Sequence, residues 1–398
     1  MPPLDKTSVV GIIGAGAMGT GIAQIAATAG HRVILFDSNA DTANRAIESI
    51  SGVLNRQVAK NKISADDARA ITDRLSVANT AAAEGDYSVL AECGIVIEAI
   101  VEDLEIKRHL FAGVEAAVHP ECILATNTSS LSVTAIARAC RYAQRVIGVH
   151  FFNPAPVLPL VEIVPGIATS ATVTHDVRAL VDSWKKTTVL ASDTPGFIVN
   201  RVARPFYGEA IRIYEERIAD PATIDWAMRE FGGFRMGPFE LMDFIGHDVN
   251  FATTSSVYEG TFFDPRYKPS VTQQRLVQAG LLGRKTGRGF YDYSEIATKP
   301  EPVKDNALGQ QILTRIRAML INEAADAVAF GIGSVNDIDL AMTKGVNYPR
   351  GLLAWADEIG IKEVLSTLEQ LQSDYAEDRY RPSLLLKRMA REGTRFHQ

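Results

Sequence analysis

The chain has 398 residues, too many for one ordinary core, so two or three domains are expected. Hydrophobic residues at 46% and charged residues at 22% are the mix of a soluble globular protein. A formal net charge of -6 excludes a surface that as a whole attracts nucleic acid or an anionic membrane, so a polyanionic ligand must find a local basic patch.

The N-terminal stretch "MPPLDKTSVVGIIGAG" has no basic flank followed by the apolar core of a signal peptide. No run approaches the roughly 20 apolar residues of a membrane span. Val9 to Ile13 reads as a short apolar strand, followed by Gly14, Gly16 and Gly19 in G-x-G-x-x-G spacing. Gly21 to Ala29 reads as a helix ending at Gly30, a C-cap glycine. Arg32 to Phe36 reads as the second strand and stops at Asp37. A glycine loop that follows a strand, opens a helix and meets an acid at the end of the next strand is the dinucleotide-binding context. Gly14, Gly16, Ala17, Met18 and Gly19 would let the backbone approach a pyrophosphate at the helix N-terminus. Asp37 would accept hydrogen bonds from ribose hydroxyls and repel a 2′-phosphate, so NAD is expected over NADP.

Further along, "NRQVAKNKI" places Arg56, Lys60 and Lys62 in a helical region, either as a solvated face or as a cationic lip. The apolar runs 94–100, 122–129 and 145–153 alternate with helical patterns, the sign of a doubly wound, mostly parallel sheet. Ligands of such sheets sit beyond the carboxyl ends of the strands. Glu98 and Glu102, then Asn127 with Thr128, Ser129 and Ser130, then His150 and Asn153 fall at those ends. The "NTSS" stretch also suits a helix N-cap. Two titratable groups, His150 and Glu162, occupy apolar runs, where each alone would be costly to bury. As a pair they would neutralise one another and form a tuned general base. Cys93, Cys122 and Cys140 are odd in number and lack C-x-x-C spacing. That argues against a disulfide framework and a zinc site, and a reducing cytoplasm fits.

From Asp193 the pattern turns helical, with Pro205 inside a predicted helix that it should kink. The segment "IDWAM" at 224–228 returns as "IDLAM" at 338–342, and Glu209, Gly237, Asp243 and Gly246 return as Glu323, Gly351, Asp357 and Gly360. Residues from about Asn306 therefore read as a second helical copy. Thr314 stands where the spacing puts Asn200, and nothing after Gly393 is expected to answer to "GRKTGRGFY". The copy should be structural and should carry no second active site.

At this point the chain resembles the L-3-hydroxyacyl-CoA dehydrogenase family. The likeness rests on "GAGAMG", "EAIVEDLEIK", "NTSSLSVTAIA", "GVHFFNPAPVLPLVEIV", "DTPGFIVNRV", "MGPFELMDFIG" and "GRKTGRGFYDY", which run from about Val9 to Tyr293. "NRVARPFYGEA" and "GHDVNFA" look closest to the branch that includes the 3-hydroxyadipyl-CoA dehydrogenases of phenylacetate breakdown. The resemblance implies a Rossmann domain over 1–190, an all-α substrate domain over 191–295 and a degenerate second copy over 306–398, with the active site in a cleft between domains. It implies NAD-dependent oxidation of a 3-hydroxyacyl-CoA, in β-oxidation of fatty acids or phenylacetate-type catabolism. His150 would be the base and Glu162 its orienting anion. Ser129 and Asn200 would hold substrate oxygens. Glu102, Lys107, Asn127 and Lys285 would touch the dinucleotide or organise its pocket. Lys60 and Lys62 would reach the CoA end. Arg204, four residues after Asn200, would reach the far carboxylate of a short diacid, or else be a surface or ion-paired arginine. A helical domain of this family pairs with that of another subunit; here the two copies would pack within one chain, as a monomer or homodimer. A NAD-binding protein without catalysis, or another Rossmann β-hydroxyacid dehydrogenase using a lysine, are the competing readings. The intact Ser129, His150, Glu162 and Asn200 set argues against the first, and the arrangement of His150 with Glu162 argues against the second.

Overall fold

The computed structural model describes residues 4–78 and 86–397. The chain divides into two units, Met1–Thr194 and Pro195–Gln398.

The first unit runs β1 (Val9–Ile13), α1 (Ala17–Ala29), β2 (Val33–Phe36), α2 (Ala40–Ala59), α3 (Ala65–Thr72), β3 (Leu75–Val77), β4 (Cys93–Glu98), α4 (Leu104–Ala117), β5 (Ile123–Thr126), α5 (Val133–Ala137), β6 (Val146–Phe151), β7 (Leu160–Pro165), α6 (Ala171–Ser183) and β8 (Thr187–Leu190). The strands form one 8-stranded sheet in the order β3-β2-β1-β4-β5-β6-β7-β8. β5 and β6 are buried along their whole length, as strands covered on both faces must be, and this explains their unbroken apolar runs. Strand order reverses around β1, which puts a ligand crevice beyond its carboxyl end. β3 and β8 have only short runs, too brief for a pattern to show in sequence. Every neighbouring pair is parallel except β6 and β7. The link between those two, Phe152–Pro159, is shorter than the dozen or so residues a parallel crossover needs, so β7 doubles back.

The second unit is helical: α7 (Val199–Val202), α8 (Arg204–Glu215), α9 (Pro221–Glu230), α10 (Pro238–Ile245), α11 (His247–Gly260), α12 (Val271–Gln278), α13 (Asn306–Ala329), α14 (Val335–Gly345), α15 (Leu352–Ile359), α16 (Ile361–Tyr375) and α17 (Leu384–Glu392). Pro205 does not kink a continuous helix as its sequence setting predicts. The regular helix is interrupted at Ala203, which stays in the right-handed helical region, and Pro205 lies in the first turn of α8, where a missing N–H costs nothing. Met319 stands at the repeat position of Pro205, and there α13 runs on without interruption.

The repeat is visible in hydrogen bonds. Asp225 accepts from the N–H groups of Phe239 and Glu240 at the start of α10, and Asp339 accepts from Leu353 and Ala354 at the start of α15. Both serve a helix that begins with glycine and proline or leucine and has no side-chain cap of its own. Contrary to expectation, the end of the chain does answer to the "GRGFY" loop. Phe290 and Tyr291 donate their N–H groups to Asp243, and the Tyr291 hydroxyl donates to Asp225 at 2.7 Å. Phe396 and His397 donate theirs to Asp357, and His397 Nε2 lies 2.9 Å from Asp339. The spacing falls from 114 (Asp225 to Asp339) to 106 (Phe290 to Phe396) because the intervening loop is shorter, and this conceals the match in sequence.

The two copies also exchange buried charges. Glu209 receives Arg315 Nε at 3.0 Å, Tyr380 Oη at 2.9 Å and Arg379 Nη1 at 3.4 Å. Glu323, its counterpart, receives Arg201 Nε at 2.8 Å, Arg266 Nη1 at 3.1 Å and the Tyr267 hydroxyl. Arg315, Arg379 and Tyr380 are the counterparts of Arg201, Arg266 and Tyr267. Reciprocity of this kind is the mark of an isologous contact.

Among the described residues, no helix is long and apolar enough to cross a membrane.

Candidate active site

The glycine loop sits between β1 and α1. Gly14 has φ +97, and a Cβ there would meet the Ala99 carbonyl oxygen at 2.6 Å. A Cβ on Gly19 would meet the Gly14 carbonyl oxygen at 1.8 Å, so the helix packs on the loop only because that position is bare. A Cβ on Gly16 would meet nothing within 4 Å, which leaves open space beside the α1 N-terminus. No side chain caps that end, and its first turn holds no acid. Its N–H groups and positive dipole end therefore suit a bound diphosphate. Asp37, at the end of β2, accepts from Ala15 N at 2.7 Å and Asn39 N at 3.0 Å, tying the second strand to the loop.

At the ends of β4 and β5 the polar residues form one network. Lys107 is 1% exposed, and its ammonium contacts Glu98 at 2.5 Å and Glu102 at 3.3 Å. Its place is that of an organising cation inside the wall. Glu98 also accepts from Ile100 N and the Thr126 hydroxyl. Glu102 Oε1 accepts from the Thr128 hydroxyl at 2.6 Å, Ser129 N at 2.9 Å and Ser130 N at 3.1 Å. Burial raises the Glu102 pKa, but the hydrogen bond from Thr128 and the charge of Lys107 outweigh it and hold the carboxyl below its ordinary range. The "NTSS" stretch is thus not the cap of the next helix; that cap is Ser132, which accepts from Ala135 N. Ser129 is exposed, with its hydroxyl 3.5 Å from Glu102. Asn127 Oδ1 accepts from Phe151 N at 2.8 Å and so joins the end of β5 to the end of β6.

His150 and Glu162 lie directly across from one another in the antiparallel β6–β7 pair. Side chains at such positions project from the same face at contact distance. His150 Nδ1 is 2.7 Å from Glu162 Oε2, with the histidine 5% and the glutamate 0% exposed. When Nδ1–H donates to Glu162, Nε2 carries the lone pair, as in an oriented general base. The reversal of β7 is what makes this pair.

In the second unit Asn200 is half-buried in α7. Lys285 is exposed and paired with Asp248 at 2.6 Å. Arg204 is not at the surface, and among the described residues it has no ion-pair partner: it is 6% exposed and donates to the Thr254 hydroxyl at 3.0 Å. Lys60 and Lys62 are both exposed at the end of α2. Sequence reasoning missed Asp243, which holds the loop carrying Lys285 by accepting from Phe290, Tyr291 and His247. Its recurrence as Asp357 was the signal available.

The family model described as "3-hydroxyacyl-CoA dehydrogenase, NAD binding domain" matches residues 9–194, and the one described as "3-hydroxyacyl-CoA dehydrogenase, C-terminal domain" matches 196–293 and again 312–395. The chain belongs to the 3-hydroxyacyl-CoA dehydrogenase family. Its similarity to the 3-hydroxyadipyl-CoA dehydrogenase of Escherichia coli K12 is 39% identity over 97% of this chain and 98% of that one. The mitochondrial hydroxyacyl-coenzyme A dehydrogenase of Homo sapiens is 40% identical over 71% of this chain and 90% of its own length. A crystal structure of 3-hydroxybutyryl-CoA dehydrogenase from E. coli K12 superposes with a TM-score of 0.91 at 39% identity, covering 98% of this chain and 99% of that one. As a 3-hydroxyacyl-CoA dehydrogenase the protein is an oxidoreductase that uses NAD, and the open cradle at Gly16 with the uncapped α1 N-terminus fits that cofactor.

Proposed function

We propose that the protein oxidises (S)-3-hydroxyacyl-CoA thioesters to 3-oxoacyl-CoA with His150 as general base. The observation that supports this is the 2.7 Å pairing of His150 Nδ1 with Glu162 on facing strands. Nε2 takes the proton of the substrate hydroxyl while the C3–H bond breaks and the C3–O bond becomes a carbonyl. Bound NAD supplies the acceptor for the hydride. Glu162 fixes the ring and stabilises the imidazolium that forms. Ser129 and Asn200 hold substrate oxygens in this reading, and hydrogen-bond donors there stabilise developing charge. Glu102 keeps the "NTSS" backbone in place, with Lys107 behind it. Lys60 and Lys62 approach the phosphates of CoA. Lys285, Asn127 and Asp37 belong to the dinucleotide side.

The names of the E. coli relatives support short acyl groups, including one that ends in a carboxylate. The setting proposed is cytoplasmic, since Cys93, Cys122 and Cys140 are buried free thiols whose pKa burial pushes up to about 12. The reciprocal burial of charge between the helical copies supports a monomer or a homodimer that uses another surface.

The test is the absorbance of NADH formed from a 3-hydroxyacyl-CoA. His150→Ala should lower kcat by roughly 10²–10⁴-fold with NADH binding retained. Glu162→Gln should also be severe, because the imidazolium loses its anion. Turnover at the wild-type rate in either variant would refute the assignment.

A further inference from the structure

The second unit contains a buried cation that the dehydrogenase chemistry leaves unused. Arg204 lines a cavity of about 350 Å³ together with Tyr207, Thr254 and Gln273. Its guanidinium sits over the Tyr207 ring at 4.9 Å and donates once, to Thr254. Nε is buried without a hydrogen-bond partner, and among the described residues no carboxylate is paired with the side chain. The other charged groups around the cavity are already engaged. Arg266 is held by Glu323, Arg212 by Glu377, Arg379 by Glu209, and Glu215 accepts from Ser270 and Thr272. Lys268, exposed at the rim, adds positive charge. An unpaired cation in such a place lowers stability. Burial pulls the Arg204 pKa down, and only Tyr207 and Tyr348 act against it. The Tyr348 hydroxyl is itself buried without a partner.

The second helical copy supplies a control within the same chain. The positions that answer to Arg204, Tyr207, Thr254 and Gln273 are Ala318, Ile321, Leu368 and Leu386, all buried. The same scaffold therefore closes with apolar side chains in the copy where Thr314 stands in place of Asn200. The polar set belongs only to the copy that carries Asn200.

We infer that Arg204, with Thr254, forms a site for a carboxylate. A guanidinium offers a planar fork that matches two carboxylate oxygens. The first candidate source is the far end of a dicarboxylyl-CoA substrate, which rests on the proposed function and on Asn200 holding the thioester end. Ala203 keeps helical dihedrals between α7 and α8, so Asn200 and Arg204 share a face at about 6 Å of rise. A six-carbon diacyl chain spans about 6 Å between its terminal carbonyl carbons. The second source is a free small carboxylate.

The test compares wild type with Arg204→Met and Thr254→Val on 3-hydroxyadipyl-CoA and the neutral 3-hydroxyhexanoyl-CoA. It also follows Tm with and without adipate. The expected result is a fall in the dicarboxylyl-to-neutral ratio of kcat/KM on the order of 100-fold for Arg204→Met. Thr254→Val should shift the ratio less and in the same direction. Unliganded Arg204→Met should have a Tm no lower than wild type. An unchanged ratio, with adipate raising the Tm of wild type but not of the variant, would support the carboxylate site with a free anion as its occupant. An unchanged ratio and no effect of adipate would overturn the inference. A collapse of Tm in both variants without ligand would assign the pair to folding and overturn it too. If wild type turns over neither substrate, the dehydrogenase reading fails instead, and the adipate arm still decides this one.

Discussion

Glu102 shows how one residue links local structure to function. Its single oxygen Oε1 gathers hydrogen bonds from Thr128, Ser129 and Ser130, so the shape of the proposed substrate loop depends on its charge. The folded protein holds this carboxyl below its ordinary range. A depressed carboxyl adds stability above the unfolded pKa of about 4.3 and loses it as pH falls through the folded value. Glu102→Gln cannot titrate, and its amide would point a donor at other donors. We therefore expect the variant to be less stable than wild type near neutrality, with the gap closing in acid below about pH 4.3. Urea unfolding across that range measures the gap. A gap of constant size would show that the charge of Glu102 is not what orders the loop.

At the scale of elements, two local reversals position the residues of the proposed chemistry. The short Phe152–Pro159 link turns β7 antiparallel and sets Glu162 opposite His150. The loop after α12 is drawn back onto α10 by Asp243, which is 0% exposed and accepts from Phe290 N, Tyr291 N, Tyr293 Oη and His247. Asp243→Asn would aim an amide N–H₂ at N–H donors. A loss of roughly 1–3 kcal/mol is expected for a buried group left unsatisfied. Hydrogen exchange should rise through residues 283–293, and NAD affinity should fall if Lys285, in that stretch, serves the cofactor as proposed. Unchanged protection of Phe290 and Tyr291 would remove Asp243 from this role. The glycine loop and the strands β1, β2, β4, β5 and β6 were legible in sequence because their patterns are local. The opposition of His150 and Glu162 was legible only as a suspicion, since register belongs to strand pairing and not to spacing along the chain.

For the whole molecule, the helical unit is two copies that complete one another. Glu209 depends on Arg315, Arg379 and Tyr380 of the second copy, and Arg201, Arg266 and Tyr267 depend on Glu323. Ending the chain after Ser294 would leave a glutamate without its cations and two arginines without their anion. It would also uncover the apolar face that Ile312, Ile316, Met319 and Leu320 help bury. Breaking one buried ion pair costs about 3–5 kcal/mol, so we expect the truncated chain to aggregate or to form a dimer that restores the reciprocal pairs. Light scattering and size-exclusion chromatography on both forms would show it. A truncated chain that stays monomeric and equally stable would mean the second copy does not support the first.

Sequence alone pointed to the glycine loop, the opening strand-helix-strand unit, a mostly parallel sheet, the family and a helical repeat. Each of these rests on residues close in the chain or on a constant spacing. Gly14, Gly16, Gly19 and Asp37 act through one turn and its two flanking strands, and Asp225 with Asp339 repeat at a fixed interval. Only the tertiary structure decided which charges are spent and which are left over. Arg204 and Arg201 look alike in sequence, yet Arg201 meets Glu323 while Arg204 meets no carboxylate among the described residues. The match of His397 to Tyr291 was likewise hidden until both were seen on equivalent aspartates. The physical reason is the same in each case. A side chain's partner is set by packing between segments far apart in the chain, and neither composition nor periodicity records which buried group faces which.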